Sequence, residues 1–122
     1  MKPLKSRTVI GWVLTVILAL AFLASAAGKL IGAATQMFAH WGYPPWFATL
    51  IGVLELAGAV GLLIPRATRY AILDLTVIML GATYTHLANH EGIQVLRPGI
   101  VLAVLWIVWW LRVTPRNAAA AS

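Results

Sequence analysis

The sequence predicts an all-α protein: a four-transmembrane-helix bundle with both termini cytoplasmic. Three observations lead to this fold class, namely the composition, four long apolar runs and the distribution of basic residues. Of the 122 residues, 61% are hydrophobic and only 10% are charged, whereas a soluble domain carries about 25% charged residues. Such a chain cannot cover a surface that faces water. We therefore expect a single membrane-embedded domain over residues 1–122.

The apolar runs have the length that a bilayer requires. About 20 helical residues, at about 1.5 Å rise each, cross a hydrocarbon core roughly 30 Å thick. Helix-breaking residues separate the four runs, and prolines fall at the first turns of two of them. We predict helices over residues 9–31, 46–64, 69–87 and 97–113. The last helix is the shortest, and Arg97 can reach back to the lipid headgroups.

The basic residues predict the orientation. If the N-terminus is cytoplasmic, seven of the nine cations lie at the inner face and two at the outer face, which follows the positive-inside rule. Anionic headgroups then account for the net charge of +6 without a nucleic-acid partner. We expect a multi-pass protein of the plasma membrane. The inner cations are Lys2, Lys5, Arg7, Arg66, Arg69, Arg112 and Arg116, and the outer ones are Lys29 and Arg97.

A second interpretation of the first apolar run stays open. The opening MKPLKSR, the apolar stretch and the small residues ASA at 24–26 have the layout of a cleavable secretory signal. Cleavage after Ala26 would leave three helices. The run remains apolar through AAGKLIGAA, where a mature domain usually becomes polar, and this favours the uncleaved helix.

Polar residues inside the apolar runs are the main candidates for a functional site. A charge near the centre of a bilayer costs about 2.5 to 3.5 kcal/mol on insertion scales, so such groups face the bundle and pair. Small residues surround Glu55 on its helix face and Lys29 on its own, which favours close helix contact. With His86 at a similar depth, we predict a polar intramembrane cluster of Lys29, Glu55 and His86. Whether this cluster is structural or binds a ligand or proton stays open.

Asp74 has a different predicted role. It lies about one turn inside the cytoplasmic interface, close in sequence to the two arginines of the second connection. We predict a cytoplasmic-side ion pair of Asp74 with Arg66 or Arg69.

Histidines near the outer face could hold a metal. His86 and His90 have i, i+4 spacing, and His40 and Glu91 are expected on the same side. Solvated interfacial histidines are the favoured interpretation, so we predict no metal site. The chain contains no cysteine, which excludes disulfide and thiol-redox chemistry within it.

Four motifs resemble the DoxX-like family of small integral membrane proteins: ASAAGKLIG at 24–32, MFAHWGYPPWF at 37–47, ELAGAVGLLIPR at 55–66 and MLGATYTHL at 79–87. That family typically has a lysine late in the first helix, a glutamate in the second and a histidine near the end of the third. Lys29, Glu55 and His86 match these positions. The resemblance implies a four-helix bundle in the plasma membrane and a link to quinone-dependent or other membrane oxidoreductases.

Two functional classes follow. In the first, the chain is an accessory or anchor subunit of a membrane redox system, with a quinone as the candidate ligand. Lys29 and His86 would contact its headgroup, and further ligand-facing candidates are His40, Trp41, Trp46 and His90. In the second, the chain is a small homo-oligomeric proton-coupled carrier that uses Glu55. The strong charge bias argues against carriers that insert in both orientations. A purely structural membrane subunit remains a further alternative.

Overall fold

The computed structural model describes residues 2–115 of the chain, with side chains from residue 6 onward. Within this part the chain is entirely helical and contains no strand, which confirms the predicted all-α class. The α-helices are α1 (Lys2–Leu30), α2 (Thr35–His40), α3 (Phe47–Leu63), α4 (Thr68–Ala88) and α5 (Leu96–Val108). A 3-10 helix, Gly92–Val95, precedes α5, and a π-helical turn, Trp109–Val113, follows it.

The short helix α2 was not predicted. Four of the five described helices correspond to the predicted ones, and α2 lies in the connection that the sequence pattern left irregular. Gly32 and Gly42 stand on either side of α2 with φ angles of +90° and +88°. Glycine adopts this left-handed conformation at little cost. The two reversals let six residues fold back as a helix across one end of the bundle.

The membrane-spanning segments were predicted only in part. By length and composition, the described residues contain three helical segments able to cross a membrane: Ser6–Leu30, Thr68–Ala88 and Gly92–Val113. Helix α3 is apolar but has only 17 residues, which corresponds to about 26 Å. Large apolar side chains cover the outer faces, as at Val77, which is 68% exposed. Such a surface suits lipid.

The four long helices form a closed ring in the order α1, α3, α4, α5. Glycines of α3 permit the closest contacts. A Cβ atom at Gly52 would lie 2.9 Å from Lys29 Cβ of α1, and one at Gly58 would lie 2.6 Å from Leu75 Cγ of α4. Small residues allow this approach where lipid supplies no hydrophobic driving force between helices. The core contains Phe22, Leu62, Ile72, Leu75 and Leu105.

Arg112 joins the helices at the end of the bundle that contains the chain termini, called here the terminal end. It donates from Nη1 to Thr15 Oγ1 at 2.8 Å and to the Leu62 carbonyl at 3.0 Å, and from Nη2 to Thr68 Oγ1 at 2.9 Å. Its guanidinium stacks 3.8 Å from the ring centroid of Trp12. The sequence predicts Arg112 only as an interfacial cation, because the pattern of a single helix does not indicate these partners. Arg116, placed with the same cations, lies outside the described residues.

Candidate functional site

A cavity of about 760 Å³ opens between the helices towards the opposite end of the bundle, called here the α2 end. Apolar side chains of α3 and α4 form much of its wall, and aromatic side chains from α2 and the following connection cover one end. Polar side chains from each of the four long helices, α1, α3, α4 and α5, also line it. The lining residues include Ile51, Leu54, Val77, Ile78 and Met79 among the apolar ones, and Lys29, Glu55, Asp74, Thr85, His86 and Glu91 among the polar ones.

Lys29 and Glu55 meet in the wall of the cavity. Lys29 Nζ lies 2.9 Å from Glu55 Oε1, and the Glu55 side chain is only 2% exposed. Ser25 donates to the two Glu55 oxygens at 3.1 and 3.2 Å and accepts from Lys29 Nζ at 2.7 Å. Ser25 and Lys29 are four residues apart on α1 and so share one helix face. The ion pair therefore ties α1 to α3, with Ser25 as a member that the predicted cluster lacked.

His86 forms a separate polar group, called here the Glu91 cluster (Trp41, His86 and Glu91). His86 Nδ1 lies 2.9 Å from Glu91 Oε1, and Trp41 Nε1 donates to the two Glu91 oxygens at 3.2 and 3.3 Å. The Trp41 ring stands edge-on to His86 at 5.4 Å. The predicted cluster of Lys29, Glu55 and His86 thus divides into two groups. The turn after α4 brings Glu91 back to His86, and the depth of His86 along its helix does not indicate this contact.

The Glu91 cluster lowers the pKa of the Glu91 carboxyl. The hydrogen bond with His86 is the largest cause, and the Trp41 hydrogen bond and the nearby imidazoles of His86 and His40 act in the same direction. Hydrogen bonds and positive charge favour the ionised carboxylate. At neutral pH the cluster therefore contains a carboxylate that holds α2 against the α4–α5 connection.

Aromatic packing places α2 over the cavity. The buried Phe38 ring contacts the rings of Trp41, Tyr43 and Phe47, with centroids 5.4 to 6.1 Å apart. The Tyr43 hydroxyl forms a hydrogen bond with the Thr85 hydroxyl of α4. Phe38, Tyr43 and Thr85 were not among the predicted site residues. The aromatic density of MFAHWGYPPWF was the available signal, but it is also typical of a membrane interface.

Among the described residues, the structure shows no ion pair of Asp74 with Arg66 or Arg69. Asp74 lies five residues after Arg69, which places the two side chains about 140° apart around α4. Arg69 donates instead to the Tyr70 hydroxyl at 3.0 Å and lies over that ring. Asp74 faces Gly58 of α3 and lines the cavity.

The other predicted ligand-facing residues also separate into two groups. His40 and Trp41 line the cavity. Trp46 is 62% exposed, and His90 is exposed beyond the end of α4 with a φ angle of +60°. Neither of them belongs to the cavity lining. Because His90 has left the helix, His86 and His90 do not share a helical face.

The apolar exterior, the helices of membrane-spanning length and the inward polar groups define a helical membrane protein. The family model of the DoxX-like family matches residues 13–108, and the chain belongs to that family. A relative is the uncharacterized protein YdgD of Bacillus subtilis (strain 168), which is 35% identical over 71 residues. That match covers 53% of this chain and 62% of the relative, so the chain spans less than two thirds of the relative's length. No solved structure matches the chain.

Proposed function

We propose that the chain is an accessory or anchor subunit of a quinone-dependent or other membrane redox system, and that its cavity binds the quinone ring. The observation that carries this proposal is the cavity itself, an apolar and aromatic space within the bundle that is reached by hydrogen-bonding groups. Its volume of about 760 Å³ lies within the roughly 300 to 1,000 Å³ of small-molecule sites. Aliphatic and aromatic walls suit a lipid-soluble ring with a hydrocarbon tail.

The cavity also fits a ligand that arrives from the bilayer. Leu54 and Val77 line it and are 37% and 68% exposed, so its wall continues onto the outer surface between α3 and α4. A hydrophobic molecule dissolved in lipid would reach the space without crossing water. This route favours a membrane-soluble ligand over a polar metabolite.

The proposal includes four spans, a single membrane-embedded domain and a plasma-membrane location with cytoplasmic termini. Helix α3 is the short member, and the residues that flank it, Trp46 and Ile64, are apolar and exposed. A short span is accommodated by local thinning of the bilayer and by interfacial anchors. The seven-to-two distribution of basic residues supports the orientation.

The first test has two arms. The full chain is purified from native membranes in mild detergent, and co-purifying proteins and quinones are identified. Purified protein is then titrated with a decyl-substituted benzoquinone while its thermal unfolding is followed. We expect a redox enzyme among the partners and a rise in the unfolding temperature, because a ligand that binds only the folded state stabilises it. No partner and no stabilisation would overturn the proposal.

Two glycine variants give a matched control. Gly81 lines the cavity and Gly99 of α5 does not, and a Cβ atom at either position would meet no neighbour within 4 Å. Gly81→Leu should fill the cavity and abolish the response to the quinone, whereas Gly99→Leu should leave it intact. Equal responses from the two variants would place the ligand outside the cavity.

The second candidate is the small homo-oligomeric proton-coupled carrier. One observation favours it: Glu55, Asp74 and Glu91 all line the same cavity, and acidic residues within the membrane mark proton relays in transporters. Proton-coupled flux in liposomes that is lost on Glu55→Gln, with the fold retained, would support the carrier. An absence of both flux and quinone binding would leave the purely structural subunit.

A further inference from the structure

Most of the donors expected to contact a ligand headgroup already take part in contacts within the chain. The Lys29 ammonium contacts Glu55 and Ser25. Trp41 Nε1 and His86 Nδ1 both contact Glu91. A ligand that replaced these contacts would break bonds that hold α1, α2 and α4 in place. The third Lys29 N–H and the second His86 ring nitrogen take no part in these bonds.

Asp74 differs from these groups. Its side chain makes no hydrogen bond or ion pair with another residue in the described part of the chain, yet it is only partly exposed and lines the cavity. The other polar lining residues without such contacts, His40, Gln94 and Arg97, are exposed, and water can satisfy them. Both carboxyl oxygens of Asp74 are therefore available to a ligand in the wall between α3 and α4.

The carboxyl of Asp74 lies close to the Lys29–Glu55 pair. Asp74 Oδ2 is 2.9 Å from the position that a Cβ atom would take on Gly58. Gly58 is three residues after Glu55 on α3, so the two share a helix face about one turn apart. Two carboxyl groups and one ammonium therefore occupy neighbouring positions.

The charges of Lys29 and Glu55 determine which protonation state of Asp74 is favoured beside them. Lys29 and Glu55 neutralise each other, so an ionised Asp74 would add an uncompensated negative charge beside Glu55. A lone charge inside the bilayer is unfavourable, by about 2.5 to 3.5 kcal/mol at the helix centre on insertion scales, and a neighbouring carboxylate adds repulsion. A neutral carboxylic acid avoids both costs and presents an O–H donor to the cavity.

We propose that Asp74, as the neutral acid, is the ligand-contacting residue of the cavity and donates a hydrogen bond to a carbonyl oxygen of a neutral, lipid-soluble ring. This inference rests on the proposed function, since it requires that the cavity bind such a ring. It assigns the Lys29–Glu55 pair to helix packing and ligand recognition to Asp74. The groups of the Glu91 cluster act at the other end, because Asp74 precedes His86 by 12 residues, or about 18 Å along α4.

The ring position follows from this assignment. A carbonyl bound at Asp74 places the headgroup deep in the bundle, near the point where Gly58 brings α3 against α4. The remaining length of the cavity towards the α2 end accommodates a hydrocarbon tail. The predicted contact of the headgroup with His86 would require the reverse orientation.

The test compares Asp74→Asn with Asp74→Leu in the full chain, using the decyl-substituted benzoquinone as probe and decylbenzene as the analogue without carbonyl groups. The asparagine amide still donates a hydrogen bond, so its affinity should stay within about threefold of the parent. Leucine cannot donate, and its affinity should fall about tenfold, as expected for one hydrogen bond of about 1.4 kcal/mol. Decylbenzene should bind all three proteins equally.

The pH dependence supplies a readout that a packing role would not change. Quinone affinity of the parent protein should fall at alkaline pH, where the acid loses its proton, while that of Asp74→Asn should stay constant. Equal affinities of the parent protein and Asp74→Leu, or equal losses in the two variants, would overturn the inference and leave the proposed function standing. Failure of the parent protein to bind the quinone would overturn both.

Discussion

The two ends of the bundle use buried polar groups in opposite ways. At the terminal end, Arg112 is enclosed by hydroxyl and carbonyl oxygens of three other elements and by the Trp12 ring. At the α2 end, the Lys29–Glu55 pair and the Glu91 cluster stand beside an open cavity. The first arrangement leaves no room for a ligand around Thr15, which is completely buried, and the second provides it.

This difference shows that a charge in an apolar helix does not by itself mark a functional site. Arg112 and Lys29 are both cations near the ends of long helices, and both contact partners distant in sequence. What distinguishes them is the surrounding packing. Arg112 contacts Gly11 so closely that a Cβ atom there would lie 2.8 Å from Arg112 Cγ, whereas Lys29 borders about 760 Å³ of free space.

The largest effect is expected from breaking the ion pair at the α2 end. Lys29→Ala should lower the free energy of unfolding by about 3 kcal/mol, because it leaves Glu55 buried without a counter-charge. Glu55→Ala should cost less, since the longer Lys29 side chain can reach the interface. Reversible unfolding in mixed detergent measures both values, and the double variant should lose clearly less than their sum.

Gly28→Ala is the matched control for the ion pair. It lies next to Lys29 on α1, and its added Cβ atom would meet no neighbour within 4 Å. Its stability should change by less than about 0.5 kcal/mol. Additive single effects of Lys29→Ala and Glu55→Ala would contradict the coupling.

The next largest loss of stability is expected from a substitution at the terminal end. Arg112→Ala removes the hydrogen bonds to Thr15, Leu62 and Thr68 and the contact with Trp12, and we expect a loss of about 2 kcal/mol, within the range for hydrogen bonds to charged groups. Arg69→Ala at the same end should change the unfolding free energy by less than about 0.5 kcal/mol, since Arg69 is exposed and contacts its neighbour Tyr70. Quinone binding by Arg112→Ala should remain at the parent level if the two ends have separate roles.

A smaller effect is expected where α3 meets α4. In Gly58→Ala the new methyl group would lie 2.6 Å from Leu75 Cγ and Cδ2, and Leu75 is fully buried. Overpacking of this kind should cost about 1.5 kcal/mol. Gly81→Ala on α4, where the methyl group meets nothing within 4 Å, should cost nothing. Thermal unfolding of the two variants side by side tests whether this contact is as tight as the distances indicate.

The smallest effect concerns the Glu91 cluster and depends on pH. The pKa of Glu91 is lowered in the folded protein, chiefly by the hydrogen bond with His86. The stabilisation is therefore present above the ordinary glutamate pKa of about 4.3 and is lost as the pH falls through the lower folded value. The difference in unfolding temperature between the parent protein and Glu91→Gln should be positive at pH 7 and shrink towards zero in acid. A constant difference between pH 7 and 3 would contradict this linkage.

Much of the helical architecture could be predicted because it depends on local properties. The length of each apolar run, the glycines and prolines between the runs and the cost of a charge in lipid are properties of one segment and its solvent. The same properties predict that Lys29 and Glu55 face the bundle interior, since small residues flank both on their helix faces. It could not supply α2, whose six residues depend on two glycine reversals and on the Phe38 contacts.

The sequence by itself determined that this chain folds as apolar helices in a membrane, with Glu55 turned into the bundle, because both follow from the free energy of single helices in lipid. Tertiary structure alone decided that His86 meets Glu91, that Arg112 joins the helices of the terminal end and that Asp74 faces a cavity rather than the arginines beside it. Those contacts depend on the rotation, depth and connection path of several helices at once. The spacing of residues along one helix does not determine how several helices are rotated, how deep they lie or how they are connected.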